Sequence, residues 1–599
     1  MPIRLAEIAG IFGLLFILLG WLIPNKDFPW LTVWNEAAAL CGTFLLILAA
    51  AKKTSRADHW VISWPIGLFL LTAISTVWLQ RWTGLLEFAG DAWMVTLYMG
   101  AFGIAAITGR RLAESIDTAA WTQALLCIIL MGGIFTSGMI FFQWLLATPP
   151  VVFLQELTKD SRPYANLGQQ NHASTLLFMA LCASLQLRRQ KCLGTTCTIT
   201  CLALLSLGMS VTQSRTGLLQ GAMLFLWTVG ASWRTNNKNE LKWGCLAIGF
   251  ILFFRLSLPW IDQLLLLSQP VRDIINSTTA DLRWLVWWTF LDAVALKPWA
   301  GYGWLQSALA QEAVAACHPN LRYYFHYTHL LPLDFIIWVG LPLGLTLCGL
   351  VFFWHVKHWM APPMLETGYW IVALTGILIH SLLEYPLAYT YFLLPMGLIM
   401  GIIEAKSKIF HSYNITPLII KIITAGLGAV TLAIAIDVSR AIKIDSQLRF
   451  EDLRIGTARI STVPEKMLIL DHLGSMYKLR STNIGETLTE KEIEEIKKGV
   501  RRFPFSYNML RLALILEYHG KHQDSAYWRN LICDMYSPVF CERSANRWAQ
   551  WENSLPGRFG KFLEEEVESR PKCRRDEGQP HTQPQTRPAT LPITPGSSN

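Results

Sequence analysis

Ahead of residue 437 the chain is a train of apolar runs, each about 20 residues long, separated by short polar loops. A helix of about 20 residues, rising about 1.5 Å per residue, crosses a hydrocarbon core of about 30 Å. The runs predict spans near 6–24, 33–51, 60–80, 89–108, 121–147, 172–187, 193–212, 216–233, 243–260, 332–354, 368–385, 387–404 and 415–436. The pattern is that of an all-α, polytopic membrane protein with about 13 transmembrane helices. The longest polar interruption among them is 261–331, which carries Asp281, Arg283, Asp292, Lys297, Glu312, His318, Arg322, His326 and His329.

Composition agrees. The chain is 52% hydrophobic and 16% charged, whereas a soluble domain is nearer a quarter charged. The deficit lies before residue 437. Residues 1–436 are therefore expected to form a transmembrane domain that includes the outer loop 261–331, followed by a water-exposed domain. The net charge of +9 does not point to a nucleic-acid partner, because much of it sits in short loops where it sets orientation. The 12 cysteines show no zinc or redox spacing, and most lie in apolar runs as small hydrophobes, among them Cys127, Cys182 and Cys348. Arg4 and the run after it lack a cleavage site, so the first span reads as retained.

Lysine and arginine mark one set of loops, with Arg110 and Arg111, Arg188 and Arg189, Arg234 and Lys238, and Lys406 and Lys408. Positive charge stays in the cytoplasm. The stretches 148–171 and 261–331 and everything after 437 then lie outside. In 437–570 the period changes to three and four, as in Met509, Leu512, Ala513 and Leu516, which predicts helices near 464–480, 489–502, 505–519 and 522–536. Breaks are expected at Gly474, Pro504 and Gly520. Helical pairs of this size suggest a tetratricopeptide-like periplasmic domain. Cys533 and Cys541 could form a disulfide there or remain free thiols. Residues 571–599 are rich in Pro, Gly, Thr and Gln and are expected to be disordered.

Four polar stretches fall on the outer face. The first is Asn166-Leu167-Gly168-Gln169-Gln170-Asn171-His172, whose amides could hold sugar hydroxyls or cap a helix. The second is Gln213-Ser214-Arg215-Thr216-Gly217. There the guanidinium could clamp phosphate bidentately or reach toward lipid headgroups. The third runs from Asp281-Leu282-Arg283-Trp284 to Gly301-Tyr302-Gly303, with Arg283 heading an amphipathic helix. The fourth is His326-Tyr327-Thr328-His329 running into Gly340-Leu341-Pro342-Leu343-Gly344. A histidine at the mouth of a span can serve as a base or cap the helix.

In this order the four stretches, with His380-Ser381-Leu382-Leu383-Glu384-Tyr385-Pro386, resemble the O-antigen ligase superfamily. Within it they resemble the protein O-oligosaccharyltransferases that glycosylate pilins. The resemblance covers roughly 150–405. It implies transfer of an oligosaccharide from undecaprenyl diphosphate to Ser/Thr hydroxyls of a periplasmic protein such as a pilin, at the inner membrane. It assigns His329 as base and Arg215 and Arg283 to the donor diphosphate. Gln169, Gln170, His172, His326, His380 and Glu384 become glycan or acceptor contacts. Where the family has asparagine after the histidine, this chain has Leu330; the spacing to Gly340 selects His329 over His326. No cofactor is expected. The chain has no Asp-x-Asp metal motif, so an inverting, metal-independent single displacement is expected. An O-antigen ligase with a lipid A-core acceptor is the near alternative. A lipid-linked sugar transporter, the reading from another class, would place charges deep in the spans. Asp334, five residues beyond His329, is off-face on a helix and is not expected to pair with it.

Overall fold

The computed structural model describes residues 3–25, 28–51, 60–115, 118–145, 153–157, 161–267, 279–361, 364–452, 466–554, 559–560 and 562. The tail expected to be disordered, 571–599, lies outside them, as do parts of the polar stretches 148–171 and 261–331.

Helices α1 (Ile3–Leu22) and α2 (Val33–Ala50) lead through a short strand β1 (Trp60–Ser63) to α3 (Trp64–Trp82), α4 (Ala89–Ala113) and α5 (Thr118–Trp144). Then come α6 (Gln170–Arg189), α7 (Thr195–Val211), α8 (Arg215–Thr235) and α9 (Lys238–Leu264). The segment 261–331 contributes α10 (Thr279–Leu296) and α11 (Ser307–Val314). The bundle resumes with α12 (Leu331–Met360), α13 (Met364–Ser381), α14 (Thr390–Ser407), strand β2 (Ser412–Ile415) and α15 (Pro417–Asp452). The tail holds α16 (Asp471–Ser481), α17 (Glu490–Arg502), α18 (Ser506–Tyr518), α19 (His522–Met535) and α20 (Pro538–Ser554).

Among the described residues seven helices are long and apolar enough to cross a membrane: α1, α2, α4, α5, α9, α12 and α15. The other expected spans fall on α3, α6, α7, α8, α13 and α14. Of these, α7 is apolar but only 17 residues long; helix α6 shows how a buried helix can be less apolar. It is buried from His172 to Leu187, and protein rather than lipid surrounds its Ser174, Thr175, Ser184 and Gln186. Close helix approach depends on small residues in such bundles. At the α4–α14 crossing a Cβ on Gly401 would fall 1.9 Å from the Ala106 carbonyl oxygen.

Three features depart from the sequence reading. Among the described residues the regular structure is helical except for β1 and β2, which pair antiparallel with Trp60 opposite Ile415. Valine, isoleucine and tyrosine in these short stretches favour an extended pair. Helix α15 runs on 16 residues past the expected end at 436, to Asp452. Finally, Gly474 lies inside α16 and breaks nothing, whereas Pro504 and Gly520 do separate helices and Gly520 has φ +74. A capping box at Thr489 and Glu492 starts α17. Cys533 and Cys541 are joined in a disulfide. The tail core gathers Ile496, Leu512, Ile515, Trp528, Ile532 and Trp548.

The tail is fastened to the bundle at several points. Asp437 on α15 accepts the amides of Leu468, Ile469 and Leu470 at 2.7–2.9 Å. Asp471 accepts those of Ala89 and Gly90 at the start of α4. Arg502 pairs with Asp91. Toward the segment 261–331, Tyr527 donates to Glu312 at 2.8 Å and the Ser537 amide to the Arg322 carbonyl at 3.2 Å.

Candidate active site

His329 stands two residues before α12, with φ +60. That left-handed backbone costs a non-glycine residue about 1–2 kcal/mol and persists only where neighbours over-determine it. Here they do. The Thr328 amide donates to Asp334 Oδ1 at 2.6 Å, and Trp287 Nε1 on α10 donates to the Thr328 carbonyl at 3.1 Å. Asp334 thus fixes the backbone beside the histidine and makes no bond to its ring. Further along α12, Gly340 has φ 80 and ψ 169. A Cβ there would sit 2.2 Å from the Trp299 carbonyl oxygen. The 298–303 segment crosses at that point, with Tyr302 N to Ile337 O at 2.8 Å and Leu341 N to Pro298 O at 2.7 Å. The first glycine of Gly-Leu-Pro-Leu-Gly is therefore required by a backbone crossing.

The His329 ring meets Glu384, 55 residues away, with Nδ1 2.6 Å from Oε2. The other carboxylate oxygen accepts from Arg283 Nη2 at 2.6 Å and from Asn171 Nδ2 at 3.2 Å. Asn171 Oδ1 in turn accepts from Ser214 Oγ at 2.7 Å, and Ser214 caps α8, whose first residue is Arg215. Arg162 Nη1 donates to the Thr212 and Gln213 carbonyls at 3.3 and 2.9 Å behind that turn. One buried carboxylate thus draws together four stretches separated in sequence. Burial alone would raise the Glu384 pKa, but the His329 hydrogen bond, with the charges of His329 and Arg283, outweighs it and holds the carboxyl at about 2. Ionised and already accepting from His329, Arg283 and Asn171, the Glu384 carboxylate is the weaker proton acceptor of the pair and the imidazole the better placed base. Against a carboxylate, Nδ1 is the protonated nitrogen and donates, so the lone pair lies on Nε2. The ring keeps 22% of its side-chain surface exposed. Tyr385 lies edge-on to it at 5.0 Å and stacks on Tyr327 at 4.5 Å.

The other expected residues are placed as follows. Gln169 is at the N-cap of α6, and Gln170 donates to the Arg162 carbonyl. His172 is buried 3.3 Å from the Tyr391 hydroxyl, with Tyr389 and Phe392 around its ring. His380 is fully buried and bonded to Thr175 at 2.9 Å. His326 is not at the carboxylate. It is bonded to the Tyr324 hydroxyl at 2.7 Å, and burial with the nearby Arg502 charge pushes its pKa down to about 3. Glu384 is committed to His329, Arg283 and Asn171. The sequence reading assigned no role to Asn171, Ser214 or Tyr385, although all three stand inside the stretches it singled out.

A cavity of about 750 Å³ adjoins Glu384 and Tyr385. Its lining includes Gln169, His172, Tyr327 and Arg502 together with Phe69, Tyr98, Trp354 and Met396 from α3, α4, α12 and α14. This is a polytopic helical membrane protein with a histidine–carboxylate–arginine cluster at one end of its bundle, suited to taking a proton beside an anionic group. Residues 369–537 match the family described as virulence factor membrane-bound polymerase, C-terminal. The chain is 26% identical over 531 residues to a general O-oligosaccharyltransferase of Acinetobacter baylyi, covering 86% of this chain and 91% of the relative. It is 26% identical over 400 residues to a ComP-specific O-oligosaccharyltransferase of the same organism, covering 66% and 71%. Over most of its length the chain is thus similar to proteins named as O-oligosaccharyltransferases.

Proposed function

We propose that this protein transfers an oligosaccharide en bloc from undecaprenyl diphosphate to Ser/Thr hydroxyls of periplasmic proteins, pilins among them. The observation that carries the reading is the pairing of His329 and Arg283 on the single carboxylate of Glu384. A hydroxyl is a poor nucleophile until its proton leaves. Nε2 of His329 takes that proton as the hydroxyl oxygen bonds to the anomeric carbon. The bond from that carbon to the phosphate oxygen breaks, with inversion, and undecaprenyl diphosphate departs. Glu384 stabilises the imidazolium that forms. A placed base of this kind gives about 10²–10⁴-fold. Arg283 offers five N–H donors and directs one to Glu384; with Arg215 it meets the charge developing on the diphosphate. The curated relatives named as O-oligosaccharyltransferases support a protein acceptor over a lipid core.

The reading includes about 13 spans in residues 1–436, an active site facing the periplasm, and a tetratricopeptide-like periplasmic domain over 437–570. The Cys533–Cys541 disulfide supports an oxidising compartment for that domain. Mass spectrometry of periplasmic proteins with and without the gene tests the function. Loss of a Ser/Thr-linked oligosaccharide from at least one protein is expected. Unchanged protein glycans with altered surface lipopolysaccharide would replace the reading with a lipid acceptor.

A further inference from the structure

We infer that Arg502, in the tail domain, is a positioning residue for His329, so that the tail takes part in the chemistry by pinning the loop that carries the base. The inference rests on the assignment of His329 above. Arg502 ends α17 and is largely buried. Its Nε lies 3.0 Å from Asp91 Oδ2 and its Nη2 2.9 Å from Asp91 Oδ1. Asp91 is 1% exposed in the first turn of the membrane helix α4. A two-pronged pair of this kind fixes direction as well as distance.

The residues after Arg502 press on the catalytic loop. The Phe503 ring is 6.5 Å from that of His326, and Phe505 is edge-on to Tyr324 at 5.1 Å. The Tyr324 hydroxyl holds His326 at 2.7 Å. The Ser537 amide, also from the tail, holds the Arg322 carbonyl. Residues 322–326 are therefore gripped from the tail side, and three residues later the ring of His329 reaches Glu384. Between them Tyr327 stacks on Tyr385, which lies edge-on to His329. His326, neutral through burial and the Arg502 charge, adds no repulsion to this contact. The competing reading is that the tail serves only to dock the acceptor protein. The two differ in which kinetic constant moves.

The test uses full-length reconstituted enzyme, a purified lipid-linked donor, and two acceptors: a short Ser/Thr peptide and a whole acceptor protein. Arg502→Gln leaves Asp91 buried and unpaired, so folding suffers too. Asp91→Asn combined with Arg502→Gln removes that charge. In both enzymes kcat should fall about 10- to 100-fold with either acceptor, as expected for sub-ångström misplacement of a base. KM should stay within about threefold. In the double variant the thermal midpoint should recover while kcat stays low. Normal kcat with KM raised only for the whole protein would overturn the proposal in favour of docking. Recovery of kcat in step with the thermal midpoint would overturn it in favour of a purely structural pair. Full activity of His329→Ala in the same assay would instead refute the base assignment, whatever Arg502→Gln does.

Discussion

Replacing Glu384 by glutamine keeps shape and removes the charge that joins the two halves of the site. The carboxylate accepts on both oxygens, from His329 at 2.6 Å and from Arg283 at 2.6 Å. An amide has one accepting oxygen and one donating nitrogen. Arg283 cannot accept, so the amide oxygen turns to the guanidinium and the NH₂ faces Nδ1 of His329. Nδ1 must then accept, which moves the ring proton to Nε2, where the acceptor's proton should arrive. The base is lost without losing the histidine. Transfer should fall about 10²–10⁴-fold, the full worth of a placed base, or roughly 3–5 kcal/mol of barrier. Glu384→Asp keeps the charge but is one methylene short, and should lie between. The assay is single-turnover transfer with purified donor at saturating acceptor. If Glu384→Gln turns over within about threefold of wild type, Glu384 does not set the tautomer and the mechanism is wrong.

Other consequences follow from the same contacts. Arg283→Lys and Arg215→Lys keep charge but lose the planar fork, so transfer should drop at least tenfold at normal protein level, measured with the same donor; near-normal rates in both would refute the diphosphate clamp and return Arg215 to a headgroup role. Gly340→Ala meets both a left-handed backbone and the Trp299 carbonyl, so it should cost more than about 2 kcal/mol, seen as a lower thermal midpoint in detergent. Glu384 has a folded pKa of about 2 against an ordinary 4.5. Its stabilising contribution, about 3 kcal/mol, is complete above pH 4.5 and is lost as pH falls toward 2. Thermal midpoints from pH 6 down to 3 should therefore fall more steeply for wild type than for Glu384→Gln, and parallel curves would contradict this.

The helical membrane architecture was legible because each apolar run carries its own length. Where runs are apolar throughout they are plain; the run expected at 172–187 stops two residues short of α6 at each end, and that buried helix includes the polar Ser174, Thr175 and Gln186. The continuation of α15 to Asp452 was hidden because polar residues after 436 end the apolar run without ending the helix. His329 and Arg283 could be singled out from their motifs, but their shared partner could not. Glu384 lies 55 residues from one and 101 from the other, and no periodicity reports a contact made by packing α6, α10, α12 and α13 together. Spacing did rule on Asp334, whose carboxylate serves the Thr328 backbone and leaves the ring to Glu384. The Arg502–Asp91 contact spans 411 residues, and helical spacing could not connect the tail with the catalytic loop.

The central claim is that His329 is the base of a glycan transfer to protein. Its most direct test is reconstituted transfer by wild type and His329→Ala, using purified lipid-linked oligosaccharide and an acceptor peptide, with donor binding measured in parallel. The account predicts that His329→Ala binds donor normally and loses transfer by at least about 10²-fold, while His326→Ala, which lies away from the carboxylate, is milder. Normal turnover by His329→Ala, or a dead His326→Ala beside an active His329→Ala, would contradict it.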